Sequence, residues 1–100
     1  MTNRAKANPH ITVIVPAFNE AAAITSTVTN IAHHLQQLSP NWDVVVIDDG
    51  SRDQTANVVR ALPKELSTTL VRFSRNFGKE YAITAGLEHA SGDIVICMDA

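Results

Sequence analysis

The sequence has little cysteine and few aromatic residues, and its net charge is close to zero. It contains one cysteine in 100 residues, 5% aromatic residues and a formal net charge of −2. One thiol cannot form an internal disulfide, so nothing indicates an oxidising compartment. We expect Cys97, within the apolar run 94–98, to be an inert core residue. The near-neutral charge excludes the strongly basic profile of a nucleic-acid-binding protein.

Long apolar segments and targeting signals are also absent from the sequence. No run approaches the roughly 20 apolar residues that a membrane-spanning helix needs. Arg4 and Lys6 near the start are not followed by an apolar stretch of the kind found in signal peptides. We therefore expect this segment to be soluble and cytoplasmic, with any membrane contact made by segments outside it.

Several familiar catalytic and nucleotide-binding patterns are missing. No G-x-G-x-x-G follows the first apolar run, which argues against a dinucleotide-binding dehydrogenase. Gly78 and Lys79 lack the upstream glycine and the Ser/Thr of a P-loop. The four histidines are scattered without zinc-ligand spacing, and no Ser-x-Gly elbow indicates a hydrolase. The chemistry must therefore come from other residues.

Short β-branched runs alternate with longer segments whose apolar residues fall at helical spacing. This alternation is typical of β-α-β units around a parallel sheet. After a polar lead-in over residues 1–10, the sequence predicts a β-α-β-α-β-α-β order within one α/β domain that occupies residues 11–100. The predicted strands cover residues 11–15, 44–47, 69–73 and 94–98.

Three helices are expected between these strands, with recognisable start signals. Asn19 is predicted to cap a helix that begins near Glu20 and ends at Ser39-Pro40. Ser51 and Gln54 have capping-box spacing, which predicts a second helix that stops at Pro63. The third helix is predicted from about Gly78 to Ala90. Its inward-facing residues are expected to be Ala82, Ile83, Leu87 and Ala90.

The expected sheet brings four strand exits to one edge. Doubly wound sheets commonly order their first four strands 3-2-1-4, with right-handed crossovers. Ligands of such sheets bind outside the carboxyl ends of the strands, where the strand order reverses. The residues that follow each predicted strand are therefore the candidate site residues.

Those strand exits carry acids together with two basic residues. Glu20, Asp48 and Asp99 follow the first, second and fourth strands, and crowded carboxylates repel unless a cation offsets their charge. Arg75 and Lys79 follow the third strand and suit a phosphate. Each motif alone also fits turn chemistry, helix capping or solvated surface charge. Their conjunction at four successive exits favours a site for a metal and a diphosphate.

Four ordered motifs resemble those of family 2 glycosyltransferases. The segment Ile-Val-Pro-Ala-Phe-Asn-Glu at 14–20 resembles the opening "VIPxYNE", and residues 46–53 resemble "VDDGSxD". Residues 74–80 are close to the "SRNFGKE" of a subgroup that charges polyprenyl phosphates with sugars, and residues 85–93 resemble "AGLxxAxGD". Met98-Asp99-Ala100 resembles the beginning of the D-x-D motif. The resemblance covers residues 11–100.

This resemblance implies a GT-A fold, with these residues forming its Rossmann-like nucleotide-binding half, and a nucleoside diphosphate sugar as donor. Asp49 would serve the loop and the helix start, and Asp48 would accept a hydrogen bond from a base N–H. Asp99 would lie beside the metal, Mg²⁺ or Mn²⁺, and the diphosphate. The residues implied for the nucleotide sugar are Pro16, Ala17, Glu20, Asp48 and Asp99; those for phosphate are Arg75 and Lys79, and that for the metal is Asp99.

The D-x-D motif is expected to continue with an aspartate at position 101. We therefore expect the chain to be the N-terminal part of a catalytic domain, cut within that motif and without turnover on its own. Catalytic residues on the acceptor side, and any membrane helices, are expected beyond Ala100.

The intact protein is expected to be an inverting glycosyltransferase. It would transfer a sugar from a UDP- or GDP-sugar to a polyprenyl phosphate at the cytoplasmic face of the membrane, in the synthesis of cell-envelope glycans or glycolipids. A saccharide or protein acceptor is an alternative, and so is a non-catalytic nucleotide-binding fragment. A phosphoacceptor receiver domain is suggested only by the pair Asp48-Asp49, and Phe73-Ser74 stands where its phosphoacceptor would be needed.

Overall fold

A computed structural model describes residues 9–99, so most of the predicted lead-in, together with Ala100, lies outside the described residues. Seven main elements alternate along the chain. They are β1 (Ile11–Ala17), α1 (Ile24–Leu38), β2 (Trp42–Asp48), α2 (Thr55–Arg60), β3 (Thr68–Arg72), α3 (Lys79–His89) and β4 (Ile94–Cys97). A single 3-10 turn, Lys64–Leu66, precedes β3 and was not predicted.

The four strands form one parallel sheet in the order β3-β2-β1-β4. This confirms the predicted α/β fold and strand order. Because all strands run in the same direction, their carboxyl ends meet at one edge. The central position of β1 places its exit between those of β2 and β4.

Two apolar clusters cover the two faces of the sheet. Val13, Val15, Val44 and Val46 pack against α1 and α2, whereas Ile14, Val45 and Ile47 pack against α3. Residues 44–48 of β2 are all buried, as expected for a strand that is covered on both faces. This double coverage explains why β2 has no polar alternation in its sequence.

Helix α3 approaches the sheet through small residues. Ala82 and Gly86 are its buried residues, and a Cβ on Gly86 would lie 2.3 Å from Cγ2 of Ile14. The prediction that Leu87 faces inward is wrong, since Leu87 is 53% exposed. The close approach at Gly86 turns Leu87, the next residue, towards solvent. Ile83 and Ala90 are only half-buried.

Both predicted helix caps bond across loops instead of capping their own helices. Helix α1 begins at Ile24 and α2 at Thr55, and neither start has a side-chain cap. The backbone N–H of Asn19 donates to Oγ of Ser51 over 2.8 Å, and Oδ1 of Asn19 accepts from the N–H of Arg52 over 2.9 Å. These bonds join the exits of β1 and β2, which explains the later helix starts.

Cys97 is exposed, contrary to the prediction of a buried core thiol. Strand β4 pairs with β1 on one side only, and all four of its residues are exposed. The described part of the chain covers neither face of β4 fully.

Helix length bears on the question of membrane spans. The longest described helix, α1, has 15 residues, and a span needs about 20 apolar residues. Within residues 9–99, no helix is both long and apolar enough to cross a bilayer.

Asp53 links the loop before α2 to the loop before α1. Its Oδ2 accepts from the N–H of Ala21 over 3.1 Å, while Oδ1 accepts from the N–H of Thr55 over 2.9 Å and also from the Thr55 hydroxyl. The hydrogen bond from the Thr55 side chain is the main cause that lowers the pKa of Asp53, and the backbone N–H groups add to it.

We therefore expect Asp53 to make stability depend on pH in the acid range. Because its folded pKa lies below its unfolded value, its contribution is present above about pH 4 and is lost as the pH falls through the folded pKa. Thermal unfolding of the wild type and Asp53→Asn should differ at about pH 6 and converge towards about pH 3. A difference that stays constant over this range would contradict the assignment.

Candidate functional site

A cavity of about 210 Å³ lies at the carboxyl edge of the sheet. It is lined by Pro16, Ala17, Phe18, Glu20, Asp49, Lys79 and Asp99. An adjoining hollow of about 220 Å³ shares Pro16, Lys79 and Asp99 with it and extends to Cys97 and Met98. Five of the seven residues predicted for the site therefore line one cavity, and Asp48 and Arg75 do not.

Lys79 and Asp99 form an ion pair at the mouth of this cavity. Nζ of Lys79 lies 2.5 Å from Oδ1 of Asp99, and the two side chains are 59% and 72% exposed. Exposed pairs of this kind contribute only about 0.2–1 kcal/mol, because water screens them. The pair is therefore weak enough for another ligand to exchange with either partner.

Asp48 is fully buried at the same edge but lies on the other side of the sheet from α3. It follows Val44 and Val46 at a spacing of two, so its side chain faces the side of α1 and α2. Oδ1 accepts from the N–H of Ser51 over 3.0 Å. Oδ2 is buried and has no hydrogen-bond partner. The alternation along β2 thus keeps Asp48 out of the cavity that Asp49 lines.

Arg72 is the basic residue closest to this unpaired oxygen. Its Nε lies 3.7 Å from Oδ2 of Asp48, within ion-pair range but too far for a hydrogen bond. The Arg72 side chain is 51% exposed, whereas that of Asp48 is fully buried. A buried carboxylate oxygen with no donor is costly unless a ligand supplies one.

Asp49 fixes the loop that leads into α3. Its Oδ1 accepts from the N–H of Phe77 over 2.8 Å, and its Oδ2 accepts from the N–H of Gly78 and from Nδ2 of Asn76, each over 3.0 Å. These bonds are those expected of an acid that serves the loop and the helix start. They place Lys79, the first residue of α3, beside the cavity.

Arg75 lies away from the cavity, on the outside of the same loop. Its guanidinium carbon is 4.7 Å from the centre of the Phe77 ring, in cation–π geometry. Arg75 is exposed, and no carboxylate within residues 9–99 forms an ion pair with it. The structure therefore brings Lys79, but not Arg75, into contact with Asp99.

A sequence model of the family described as "Glycosyl transferase family 2" matches residues 12–100. The chain belongs to this family. The position of Asp49, Lys79 and Asp99 at the carboxyl edge of a 3-2-1-4 sheet agrees with the GT-A fold expected from the resemblance.

Two curated relatives have names that state a reaction. An undecaprenyl-phosphate 4-deoxy-4-formamido-L-arabinose transferase of Shewanella sediminis is 34% identical over 92 residues, which are 90% of this chain and 28% of the relative. A bactoprenol glucosyl transferase of Shigella phage SfV is 45% identical over 93 residues, covering 89% of this chain and 29% of the relative. The family 2 chain thus spans less than a third of the length of either relative.

A solved structure provides the comparison in three dimensions. The mannosyltransferase of Pyrobaculum calidifontis, in complex with GDP-Man and Mn²⁺, superimposes with a TM-score of 0.78 at 35% identity. The match covers 92% of this chain and 27% of that protein. The described residues therefore share the fold of the matching part of that mannosyltransferase.

The described part of this family 2 chain does not form a complete metal site. Within residues 9–99, no group of three or more His, Cys, Asp or Glu side chains is placed to hold an ion. Divalent cations such as Mg²⁺ take about six oxygen ligands, often including substrate phosphates and water. Asp99, at the mouth of the cavity, is a single exposed carboxylate that is paired with Lys79.

A larger hollow elsewhere in the family 2 chain is less suitable as the site. It measures about 600 Å³ and is lined by residues such as Asp43, Leu62 and Thr68, at the amino-terminal ends of β2 and β3. Ligands of open α/β sheets bind at the opposite, carboxyl edge. We therefore place the candidate site between Pro16, Lys79 and Asp99.

Sequence reasoning missed two residues of this edge. Phe18 lines the cavity and is 43% exposed, although its motif was recognised without a role for the ring. Arg72 lies near Asp48 because the two residues pair in register between β2 and β3. Strand register is not visible in the sequence, so no local signal identified this contact.

Gly50 allows the loop before α3 to pack against the end of β2. Its φ is 72°, and an added Cβ would lie 2.2 Å from the carbonyl carbon of Arg75. Gly78 also has a positive φ of 104°, but an added Cβ there would have no atom within 4 Å. Both glycines have a positive φ, but an added Cβ would overlap with neighbouring atoms at Gly50 and not at Gly78.

Gly50→Ala should reduce the free energy of unfolding by more than Gly78→Ala. Placing alanine in such sparsely populated backbone regions costs about 1–3 kcal/mol, and at Gly50 the overlap with the backbone of Arg75 adds to this cost. Urea unfolding of both variants measures the difference. Equal losses would contradict the packing of the loop on Gly50.

Proposed function

We propose that the intact protein transfers a sugar from a UDP- or GDP-sugar to a polyprenyl phosphate, in cell-envelope glycan or glycolipid synthesis. The unpaired buried oxygen of Asp48, at the edge where Asp99 and Lys79 meet, carries this proposal. A nucleoside diphosphate supplies both an N–H donor for such an oxygen and phosphates for such a charge pair. We propose that this chemistry takes place at the cytoplasmic face of the membrane.

The base and ribose of the donor are assigned to the exits of β1 and β2. Asp48 would accept a hydrogen bond from a base N–H, because Ser51 occupies only its Oδ1. Pro16, Ala17 and Glu20 line the neighbouring cavity and would contact the ribose. The GDP-Man in the solved relative supports a donor of this class.

The diphosphate is assigned to the mouth of the cavity. Asp99 would provide one ligand of Mg²⁺ or Mn²⁺, and Lys79 would contact a phosphate oxygen once it leaves Asp99. When bound, the metal ion would neutralise the charge that develops on the departing diphosphate. Arg75, free of any carboxylate partner among residues 9–99, is available to a phosphate of the donor or of the acceptor.

The names of the two curated relatives support a polyprenyl phosphate acceptor. A phosphate oxygen is already anionic at neutral pH, so this acceptor needs to be positioned and does not need a general base. The proposed reaction therefore does not require an acid of the described region to act as a general base. Incubating the intact protein with undecaprenyl phosphate and UDP-glucose or GDP-mannose should yield a lipid-linked sugar, detected by mass spectrometry. Transfer to saccharides alone would contradict the acceptor assignment.

Asp48→Asn should weaken the binding of UDP or GDP by roughly tenfold or more, because a hydrogen bond to a charged group contributes about 1.5–3 kcal/mol. Asparagine keeps an oxygen for the N–H of Ser51, so the loop should remain folded. Titration calorimetry of the intact protein measures the affinity. Glu65→Gln, exposed on the turn before β3, is the matched control. Unchanged affinity would remove Asp48 from the site.

Lys79→Gln should change metal binding and nucleotide binding in opposite directions. Without nucleotide, the affinity for Mn²⁺ should rise by roughly two- to fivefold, because the ammonium group no longer competes for Asp99. With nucleotide, affinity for the diphosphate should fall, since a phosphate contact is lost. Electron paramagnetic resonance of free Mn²⁺ measures the first effect and calorimetry the second.

Arg75→Gln serves as the control for Lys79→Gln, because Arg75 does not contact Asp99. Its affinity for Mn²⁺ alone should equal that of the wild type. A loss of Mn²⁺ affinity in Lys79→Gln would show that Lys79 does not compete with the metal.

A further inference from the structure

We propose that three aromatic side chains near the start of α3 contact a phospholipid bilayer and turn the carboxyl edge of the sheet towards it. These side chains, Phe73, Phe77 and Tyr81, are called the aromatic surface below. In this arrangement the rings lie at the level of the lipid headgroups, with Arg75 beside the lipid phosphates. The inference rests on the proposed function, since a lipid-linked acceptor brings the site to a membrane.

Aromatic residues are few in this sequence and are concentrated at one edge of the sheet. The sequence contains five of them. Trp42, at the start of β2, packs against the core. The other four lie at the carboxyl edge: Phe18 directly after β1, Phe73 directly after β3, Phe77 in the loop before α3, and Tyr81 in the first turn of α3. Core packing does not explain this distribution, because three of the four are exposed.

The rings of the aromatic surface form one continuous patch. The ring centres of Phe73 and Phe77 are 5.6 Å apart in edge-to-face geometry, and those of Phe77 and Tyr81 are 5.9 Å apart. Phe73 packs against the core cluster beneath α3, so the patch is fixed to the domain. Phe77 and Tyr81 are 41% and 66% exposed. A hollow of about 360 Å³ extends from the rings along the outer face of α3. Grouped exposed apolar side chains of this kind mark an interaction site.

The charges around the aromatic surface give it a direction. Arg75 lies over the Phe77 ring, at the end nearest the carboxyl edge, and no carboxylate of residues 9–99 forms an ion pair with it. Glu80 is exposed in the first turn, next to Lys79. Glu88 lines the far end of the hollow, about 13 Å further along the helix axis than Lys79. The unpaired cation therefore faces the direction in which lipid phosphates are expected, and Glu88 lies away from them.

The position of the aromatic surface favours a bilayer over a protein as its partner. Aromatic side chains suit both protein interfaces and the headgroup level of membranes. The loop that Asp49 holds carries Phe77 and leads into Lys79, so the rings and the pair Lys79–Asp99 have a fixed relation. A polyprenyl phosphate keeps its phosphate at the headgroup level, so the carboxyl edge has to approach the bilayer. That approach brings Phe77 and Tyr81 to the same level.

The first test measures the depth of a fluorescent label on the intact protein in phospholipid vesicles. The label is attached to Thr84→Cys, beside Tyr81 on α3, or to Gln36→Cys, exposed on α1, after Cys97 and any other cysteine have been replaced by serine. Helices α1 and α3 cover opposite faces of the sheet, so only one of them can lie against the bilayer. Lipids that carry a nitroxide should remove most of the fluorescence at Thr84 and leave that at Gln36 unchanged.

The second test measures sugar transfer to undecaprenyl phosphate in the same vesicles. Tyr81→Ser should raise the KM for the lipid about threefold to tenfold, because the burial of one ring in the interface is lost. The kcat and the KM for the nucleotide sugar should not change. Tyr81→Trp should keep the wild-type KM, since tryptophan also favours the headgroup level. With a short, water-soluble prenyl phosphate and no vesicles, wild type and both variants should have equal KM values.

Leu38→Ser is the matched control for Tyr81→Ser. Leu38 is 66% exposed, as Tyr81 is, but it lies at the end of α1 on the other face of the sheet. Its loss should leave the KM for undecaprenyl phosphate in vesicles at the wild-type value. An equal rise of this KM in both variants would show that the aromatic surface has no particular contact with the bilayer.

Two further outcomes overturn the inference, and they differ from a failure of the proposed function. If the label at Thr84 keeps its fluorescence in vesicles, the aromatic surface does not lie on the bilayer and a protein segment covers it instead. If Tyr81→Ser raises the KM for the water-soluble acceptor equally, the ring acts at the site and not at the membrane. If the intact protein transfers no sugar to any prenyl phosphate, the proposed function fails, while the label at Thr84 still decides whether the surface contacts lipid.

Discussion

The carboxylate of Asp49 holds the loop at 76–78 against the end of β2, and the arrangement of the site depends on this interaction. Two backbone N–H groups and one side-chain amide of the loop donate to it. Gly50 lets the backbone of Arg75 approach closely enough for these bonds to form. Helix α3 therefore starts at a fixed point, and its first residue, Lys79, meets Asp99 from the neighbouring strand exit.

The adjacent residues Asp48 and Asp49 have different roles because successive residues of a strand face opposite sides of the sheet. Asp49 is saturated with hydrogen bonds and orders the protein, whereas Asp48 keeps one buried oxygen without a partner. A saturated carboxylate can stabilise a loop, but it has little capacity left for a ligand. The unpaired oxygen of Asp48 destabilises the free protein, and a ligand that donates a hydrogen bond to it would remove this cost. Our assignment of the base to Asp48 follows from this difference.

Two weak ion pairs offset the negative charge at the carboxyl edge of the sheet. Asp99 is paired with Lys79 through an exposed contact, and Asp48 is paired with Arg72 at a distance beyond hydrogen bonding. Each basic residue offsets the charge of an acid in the free protein.

The sequence by itself determined the order of strands and helices, the parallel sheet and the edge at which the candidate site residues lie. These follow from local periodicity and from the handedness of β-α-β crossovers, which act the same way in any chain. The tertiary structure decided what local patterns cannot express. Asn19 and Ser51 bond to each other across 32 residues, although each has the sequence signature of a helix cap. Strand register alone brought Arg72 to Asp48. Cys97, expected in the core from its apolar neighbours, is exposed within the described part of the chain. A side chain's partner is set by which segments meet in space, and that information lies in contacts between residues far apart in the chain.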